Sequence, residues 1–361
     1  MPQEERPVKK DIRKIKNTEL LAWLETIGEK TFRAKQIEDW LWNKWAKSFD
    51  EMANLSKELR TKLEAHFEIR NLQVATQQKS SDGTIKAAFK LYDTNIVEGV
   101  LIPSGGRMTA CISSQVGCSL TCKFCATGYM DRKRNLDASE IYDQAKAIAQ
   151  IADEEFKLPL TNIVMMGMGE PLLNYANVLE GINKIISPEG MGWSPKRITL
   201  STAGIAKMIS KLADDGVKFN LALSLHAAND EKRNQIMPIN ESNTLSALKE
   251  SLRYFFQKTK NQITFEYIAF QGFNDGERDA HELANFARSI GAPIKINIIE
   301  YNPIAEASYI NTTEDKLELF TSILEKKGLI VNVRRSRGKD IDAACGQLAN
   351  KQNLQPVQVS A

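Results

Sequence analysis

The chain has 361 residues, 42% of them hydrophobic and 26% charged, with a net charge of +3. That composition belongs to a globular protein with a sizeable core rather than to a disordered or fibrous chain. No apolar run is long enough to span a membrane, and the opening MPQEERPVKKDIRKIK lacks the apolar centre of a secretory signal. The weak positive excess neither demands nor excludes a nucleic acid.

Residues 1–75 read as a small helical accessory domain. NTELLAWLETIGEK, TFRAKQIEDWLWNKW and SKELRTKLEAHF carry apolar residues at helical spacing. Thr31 is expected to cap the second of these and Ser56 to open the third, with Leu59 and Leu63 on its buried face. Trp23, Trp40, Trp42 and Trp45 fall here and read as core packing rather than as RNA-stacking platforms. Residues 76–103 read as a short antiparallel β linker, from NLQVATQQKS, TIKAAFKLY and NIVEGVLIP with turn signals between them. From 104 to 348 strand and helix patterns alternate. Strands are expected at 109–115, 162–167, 197–202, 218–225, 263–270 and 294–301, with amphipathic stretches such as ASEIYDQAKAIAQIADEEF between them. Six strands with intervening helices predict an α/β architecture, a partial (β/α)6 TIM-like barrel, because a full eight-stranded barrel needs more chain. The tail at 349–361 reads as disordered.

Three of the five cysteines stand together in GCSLTCKFCATG as Cys118, Cys122 and Cys125, spaced C-x3-C-x2-C. A [4Fe–4S] cluster normally takes four thiolates, so three leave one iron open for a ligand. Structural zinc is the alternative, but it needs four Cys or His ligands, and His66, His226 and His281 are all distant in sequence. An iron–sulfur site held by thiolates suits a reducing, cytoplasmic location. The cluster loop follows the first barrel strand, so it lands on the face where barrel sites lie. Other strand ends are also polar or glycine-rich. MMGMGEP offers Gly169 and Glu170, RITLST ends in Ser201 and Thr202, KFNLALSLH ends in Ser224, Leu225 and His226, and IKINIIEYN ends in Asn302. These read as ligand contacts, with helix N-caps as the alternative. Cys111 and Cys345 alone would pass for small buried hydrophobes. Basic residues gather at Arg6, Lys9, Lys10, Arg13, Lys14 and Lys16, at Arg132, Lys133 and Arg134, and at Arg334, Arg335, Arg337 and Lys339. Beside a candidate site they suit a phosphate-bearing substrate, although such runs are often merely solvated surface.

The cysteine triplet with Phe124 resembles the cluster motif of the radical S-adenosylmethionine (SAM) superfamily, and MMGMGEP resembles its segment for the SAM amino group. CISSQVGCSLTCKFCATG, RKRNL, MMGMGEPLLNY, LSTAG, LALSLHA and GKDIDAACGQL together resemble the dual-specificity RNA adenine-C2 methyltransferases of that superfamily, over nearly the whole chain. The resemblance implies a [4Fe–4S] cluster on Cys118, Cys122 and Cys125. It implies SAM, two molecules per turnover, bound by Gly169, Glu170, Ser201, Ser224, Leu225, His226 and Asn302. Cys345 would become S-methylcysteine, Cys111 its disulfide partner, and Glu98 a proton acceptor; the alternative for Glu98 is a solvent-facing strand carboxylate. The substrates would be one adenosine of large-subunit rRNA and the adenosine 3′ to the anticodon in tRNA. An electron donor such as a flavodoxin or ferredoxin and a monomeric, membrane-free enzyme are implied as well. A C8 methyltransferase would use the same cysteines. An iron–sulfur RNA-binding protein without catalysis and a glycyl-radical activase are further alternatives.

Overall fold

A computed structural model describes residues 9–350 of the chain. Arg6 and the expected disordered stretch beyond residue 350 lie outside the described residues.

The N-terminal region is held by a two-stranded parallel ladder of β1 (Lys10–Asp11) and β2 (Phe67–Glu68), with three helices between them. These are α1 (Asn17–Thr26), α2 (Phe32–Glu38) and α3 (Lys57–His66). Leu20 and Leu24, Ala34 and Ile37, and Leu59 and Leu63 form their buried faces, at the i, i+3, i+4 spacing an amphipathic helix requires. Ser56 caps α3 as expected, its Oγ accepting from the Leu59 N–H at 3.2 Å. Thr31 does not cap α2. Its backbone is already helical (φ −58, ψ −31) and its hydroxyl makes no capping bond, so it sits inside the turn rather than at its mouth. The tryptophans pack as expected. Trp42 is buried edge-on against Tyr142 at 5.2 Å, and the Trp45 indole N–H donates to Asp143 at 2.7 Å.

The main sheet has ten strands. The antiparallel meander β3 (Gln73–Lys79), β4 (Ile85–Lys90) and β5 (Ile96–Ser104) runs into β6 (Arg107–Cys111), which β5 pairs with antiparallel. These strands continue the barrel sheet along one side, with Val100 opposite Cys111. After β6 the cysteine loop is closed at its base by β7 (Gln115–Val116) pairing with β8 (Arg134–Asn135). Helix α4 (Ala138–Phe156) follows, capped by an Asp137–Glu140 capping box. Then come β9 (Asn162–Met165), α5 (Tyr175–Ile186), β10 (Ile198–Thr202), α6 (Ala206–Asp214), β11 (Asn220–Ser224), α7 (Asp230–Ile236) and α8 (Leu245–Thr259). The chain continues through β12 (Ile263–Ile268), α9 (Glu277–Ser289), β13 (Ile294–Ile299), α10 (Glu314–Lys326) and β14 (Ile330–Arg334). The order across the sheet is β14-β13-β12-β11-β10-β9-β6-β5-β4-β3, parallel from β6 to β14. The partial α/β barrel is therefore confirmed, with one addition: β14 is a seventh parallel strand beyond the six expected. It is an edge strand, with Ile330 58% and Val333 43% exposed, so it lacks the continuous apolar run that marks a central parallel strand. Central strands have that run: Leu221, Ala222 and Leu223 of β11 are all fully buried. In β12, Phe265 and Tyr267 pack outward on Phe286 of α9 and Phe320 of α10, which turns Glu266 between them toward the barrel interior.

Two of the basic residues expected to face phosphate are structural instead. Arg13 is buried and ion-paired with Asp143 at 2.8 Å. Arg134 is forked between Asp93 (2.5 and 3.0 Å) and Glu140 (2.7 and 2.8 Å), over the Tyr92 ring. Such paired guanidinium groups tie elements together and leave little charge to offer a ligand. No helix among the described residues is long and apolar enough to cross a membrane.

Candidate active site

The C-terminal ends of the parallel strands surround a cavity of about 570 Å³, the face on which barrel enzymes carry their sites. Cys118, Cys122 and Cys125 line it, on a loop pinned by Gly128 N–H to Cys125 O (2.8 Å) and Lys123 N–H to Ile236 O (3.0 Å). A Cβ on Gly128 would lie 2.7 Å from the Cys122 carbonyl oxygen, so this tight loop needs glycine there. Burial pushes the Cys118 thiol up to about 11, and the Cys122 and Cys125 thiols are raised by the same cause. Three half-buried thiols that ionise reluctantly alone suit a site where metal drives off the protons. Among the described residues no three His, Cys, Asp or Glu side chains converge on one point as around a single ion. Thiolates on separate corners of an iron–sulfur cube do not need to converge, so the donor set fits a [4Fe–4S] cluster.

Phe124 packs edge-on against His226 at 4.6 Å beside the cluster loop. His226 follows β11 in the left-handed region (φ +56). Its Nδ1 accepts from the Ile268 N–H at 3.1 Å and its carbonyl from the Asn274 amide at 2.6 Å. Burial, then the Arg233 charge, push its pKa down to about 3, so it is a neutral ring. Gly169 (φ +93) lies so close to Gln115 that a Cβ would approach Gln115 Cβ to 2.5 Å. The Glu170 N–H donates to Gln115 Oε1 at 2.8 Å, and the Glu170 carboxylate accepts from Ala203 (2.7 Å) and Leu172 (3.0 Å). Burial raises the pKa of that carboxyl group while these donors oppose it. Ser201 and Ser224 stand on adjacent strands with hydroxyls 3.3 Å apart.

Ten of the thirteen residues expected to act thus line one cavity: the three loop cysteines, Gly169, Glu170, Ser201, Ser224, His226, Cys111 and Cys345. Cys111 ends β6 and is buried; desolvation first, then the neighbouring Cys345, push its thiol up to about 12. Cys345 is open to the cavity, and its thiol too is raised by its enclosed surroundings, with Arg334 acting against that. All five cysteines are free thiols, so the expected Cys111–Cys345 disulfide is not present in this structure. The other three expected residues lie outside the cavity wall. Leu225 is buried, its N–H donating to Glu266 O (3.0 Å) and its carbonyl accepting from Arg233 (3.0 Å). Asn302 donates to the Cys345 carbonyl at 3.1 Å, while its own Oδ1 is buried and has no hydrogen-bond partner. Glu98 is neither a solvent-facing carboxylate nor in the cavity. It is 1% exposed and turned toward Lys86.

Two residues of the site, Glu266 and Arg233, escape sequence reasoning, and a third, Arg334, is expected only as one of a basic run. Arg334 lines the cavity from the unexpected seventh strand, 3.8 Å from Glu266. Glu266 keeps one buried oxygen without a hydrogen-bond partner, its other accepting from Asn297 at 2.8 Å. A carboxylate amid ITFEYIAF is the one signal that could have found it. Arg233 is fully buried behind the site, and nothing in KRNQIMP marks it.

Residues 10–69 match the N-terminal domain family of the ribosomal RNA large subunit methyltransferase, and residues 112–284 match the radical SAM superfamily. The chain is 63% identical over 344 residues to the probable dual-specificity RNA methyltransferase RlmN of Cytophaga hutchinsonii, covering 95% of this chain and 94% of that one. It is 53% identical over 343 residues to the protein of the same name from Christiangramia forsetii, covering 95% and 97%. Its fold superposes on the crystal structure of a radical SAM methyltransferase from Sphaerobacter thermophilus with a TM-score of 0.87 and 38% identity, covering 94% of this chain and 99% of that one. With the three-cysteine loop, the polar strand ends around one cavity and these relatives taken together, the chain belongs to the RlmN family of SAM-dependent RNA methyltransferases within the radical SAM superfamily.

Proposed function

We propose that this enzyme methylates carbon 2 of an adenosine, in large-subunit rRNA and 3′ to the anticodon in tRNA, with Cys345 as the carrier of the methyl carbon. The observation that carries the sulfur-carrier reading is the placement of two further thiols, Cys111 and Cys345, in the cavity that the three cluster cysteines line; the choice of carbon 2 over carbon 8 follows the family resemblance. Carbon 2 lies between two ring nitrogens and is too electron-poor to attack a sulfonium methyl group as a nucleophile. The carbon must instead be delivered as a radical, from a sulfur that can hold it. When bound, the [4Fe–4S] cluster and two SAM molecules per turnover supply the electron, the methyl group and the hydrogen-abstracting radical for this chemistry.

Cys118, Cys122 and Cys125 would hold the cluster. Gly169, Glu170, Ser201, Ser224 and His226 would hold SAM, while Leu225 and Asn302 brace that wall from behind. The neutral, buried His226 and the Phe124 ring close the site on one side and exclude water there. Cys345 reaches the cavity from a loop, so its sulfur can face a base entering at the mouth. Cys111 stands beside it, where a second thiol has to stand to form an S–S bond while the S–C bond to the base breaks; the electron pair of that bond passes to the carbon, which takes up a proton to complete the methyl group as the C2 proton is lost. The two cysteines are oxidised in that step, and a low-potential donor such as a flavodoxin or ferredoxin would reduce them. The target base must leave its stack to reach this depth. Arg334 and Arg337 line the cavity mouth beside Arg335, which is ion-paired with Glu314, and Arg132 and Lys133 are exposed after the cluster loop; Arg334, Arg337, Arg132 and Lys133 suit the flanking phosphates. A monomer working in the reducing cytoplasm completes the reading.

The test is anaerobic reconstitution with iron and sulfide, then SAM, reductant and either an rRNA fragment or tRNA. Mass spectrometry and NMR of the isolated nucleoside locate the new methyl group. The expected product is 2-methyladenosine from both RNAs. The 8-methyl isomer overturns the proposed position, and RNA bound but unmodified overturns catalysis.

A further inference from the structure

The segment that carries Cys345 has little regular structure. Between the end of β14 and Asn350 it contains one short 3-10 turn, Lys339–Ile341, and it turns through left-handed backbone at Gly338, Asp342, Gly346 and Asn350. Its position therefore depends on the side chains that grip it. Asp82, Asp340 and Glu300 anchor its first half, Thr127 holds the Leu348 carbonyl and Asn350 the Ile96 carbonyl, and one buried ion pair on the antiparallel meander grips it on both sides of Cys345. Glu98 Oε2 accepts from the N–H groups of both Ala349 (3.0 Å) and Asn350 (3.1 Å). Glu98 Oε1 lies 3.4 Å from Lys86 Nζ, and that ammonium also donates to the Asp342 carbonyl at 3.3 Å. The two side chains are 1% and 5% exposed. One pair thus holds the segment on both sides of Cys345. Nearer the cluster loop, Asn302 holds the Cys345 carbonyl (3.1 Å) and the Ala126 N–H, next to Cys125, holds the Gly346 carbonyl (2.7 Å).

We propose that Glu98 is a positioning residue which, with Lys86, fixes the Cys345 segment in the cavity, and that it is not the acceptor of the substrate proton. The inference rests on the methyl-carrier role of Cys345. A carboxylate committed to two amides and a lysine, outside the cavity wall, presents no face to a nucleobase. It does present what a mobile strap needs at its root. Charge-assisted hydrogen bonds to backbone N–H groups are among the stronger ones, and burial keeps water from competing for them.

Three variants separate the two roles: Glu98→Gln, Glu98→Ala, and the double variant Lys86→Met with Glu98→Leu. The double variant removes the charges together, and apolar replacement of a buried pair is commonly tolerated by a fold. Glutamine cannot serve as a base, but its carbonyl oxygen still accepts from the two amides. Hydrogen exchange of the segment's peptides and the rate of Cys345 alkylation by iodoacetamide are followed by mass spectrometry without RNA. Steady-state methylation is measured alongside. Positioning predicts exchange and alkylation faster by about tenfold or more in Glu98→Ala and in the double variant, with methylation lost in step. It predicts that Glu98→Gln, which keeps an acceptor for the two amides but turns its NH2 toward the Lys86 ammonium, falls between the native protein and Glu98→Ala, with methylation lost only in proportion to the gain in exchange and alkylation. If Glu98→Gln abolishes methylation while exchange and alkylation match the native protein, Glu98 is the base and the proposal is overturned. Unchanged exchange in Glu98→Ala overturns it too. Because exchange needs neither SAM nor RNA, that result leaves the methyltransferase reading standing, and a Cys345 that fails to carry methyl would leave the exchange result as it is.

Discussion

Cys345→Ala lowers the rate of RNA methylation by at least about 10³-fold, the scale on which removal of a covalent carrier acts. Iron content and the yield of folded protein stay at native levels. The contrast is expected because the Cys345 side chain supports no part of the fold. It is open to the cavity, and the contacts that hold the residue go to backbone, from Asn302 to its carbonyl and from Ala126 to the next one. Alanine keeps those bonds and removes only the sulfur. Cys345→Ser is expected to be equally inactive, since a hydroxyl is a poor nucleophile beside a thiolate and cannot form a disulfide with Cys111. Methylation within tenfold of native in either variant, measured by radiolabel transfer to RNA, would remove the sulfur carrier from the mechanism.

Arg233→Leu has the second large effect, and it acts on stability as well as activity. The Arg233 guanidinium is fully buried and donates to Leu225 O (3.0 Å), Ser224 O (3.3 Å), Ala203 O (2.5 Å) and Asn240 Oδ1 (2.6 Å). It therefore ties the ends of β10 and β11 to α7 directly behind the proposed SAM groups. The Ala203 N–H in turn holds the Glu170 carboxylate. Burial brings the Arg233 pKa down to about 10, still far above neutral, so a charge is kept inside by these oxygens. Leucine leaves the carbonyls without donors, at about 3–5 kcal/mol for the group. The midpoint of denaturant unfolding should fall accordingly, and KM for SAM should rise by about tenfold or more in whatever folds. Arg233→Lys is not expected to rescue, because one ammonium cannot span four acceptors held in a fixed fork. A native unfolding midpoint in Arg233→Leu contradicts this bracing role.

The parts of the molecule that are legible in the sequence are those with a strong local signal. Strands such as KFNLALSL announce themselves because both faces are buried, and Ser56 announces α3 because a cap is a local hydrogen bond. Cys118, Cys122 and Cys125 carry their chemistry in their spacing. Cys111 and Cys345 do not. They are 234 residues apart in the sequence and meet only because β6 and the loop after β14 end on the same face. The misreadings, with one exception, share one cause. Arg13 and Arg134 look like free cations until Asp143, Asp93 and Glu140 are brought to them by the fold. Thr31 looks like a cap until its own backbone proves helical. Glu98 carries a catalytic role by resemblance alone, and its partners Ala349 and Asn350 come from a tail expected to be disordered. Arg334 reads as one cation of a basic run, with no strand assigned to it, because the edge strand carrying it is half exposed and weakly patterned. Except at Thr31, where local backbone geometry decides, a long-range contact supplies what the local sequence leaves open.

The most direct measurement uses SAM bearing a deuterated methyl group. Reconstituted enzyme is incubated anaerobically with this SAM and reductant, RNA is then added, and protein and RNA are mapped by mass spectrometry at intervals. The predicted result is a labelled methyl on the peptide containing Cys345 before RNA is added, followed by its loss from the peptide as labelled carbon accumulates in the RNA. Labelled RNA with a Cys345 peptide that never carries the label, or carriage on Cys111 instead, contradicts it.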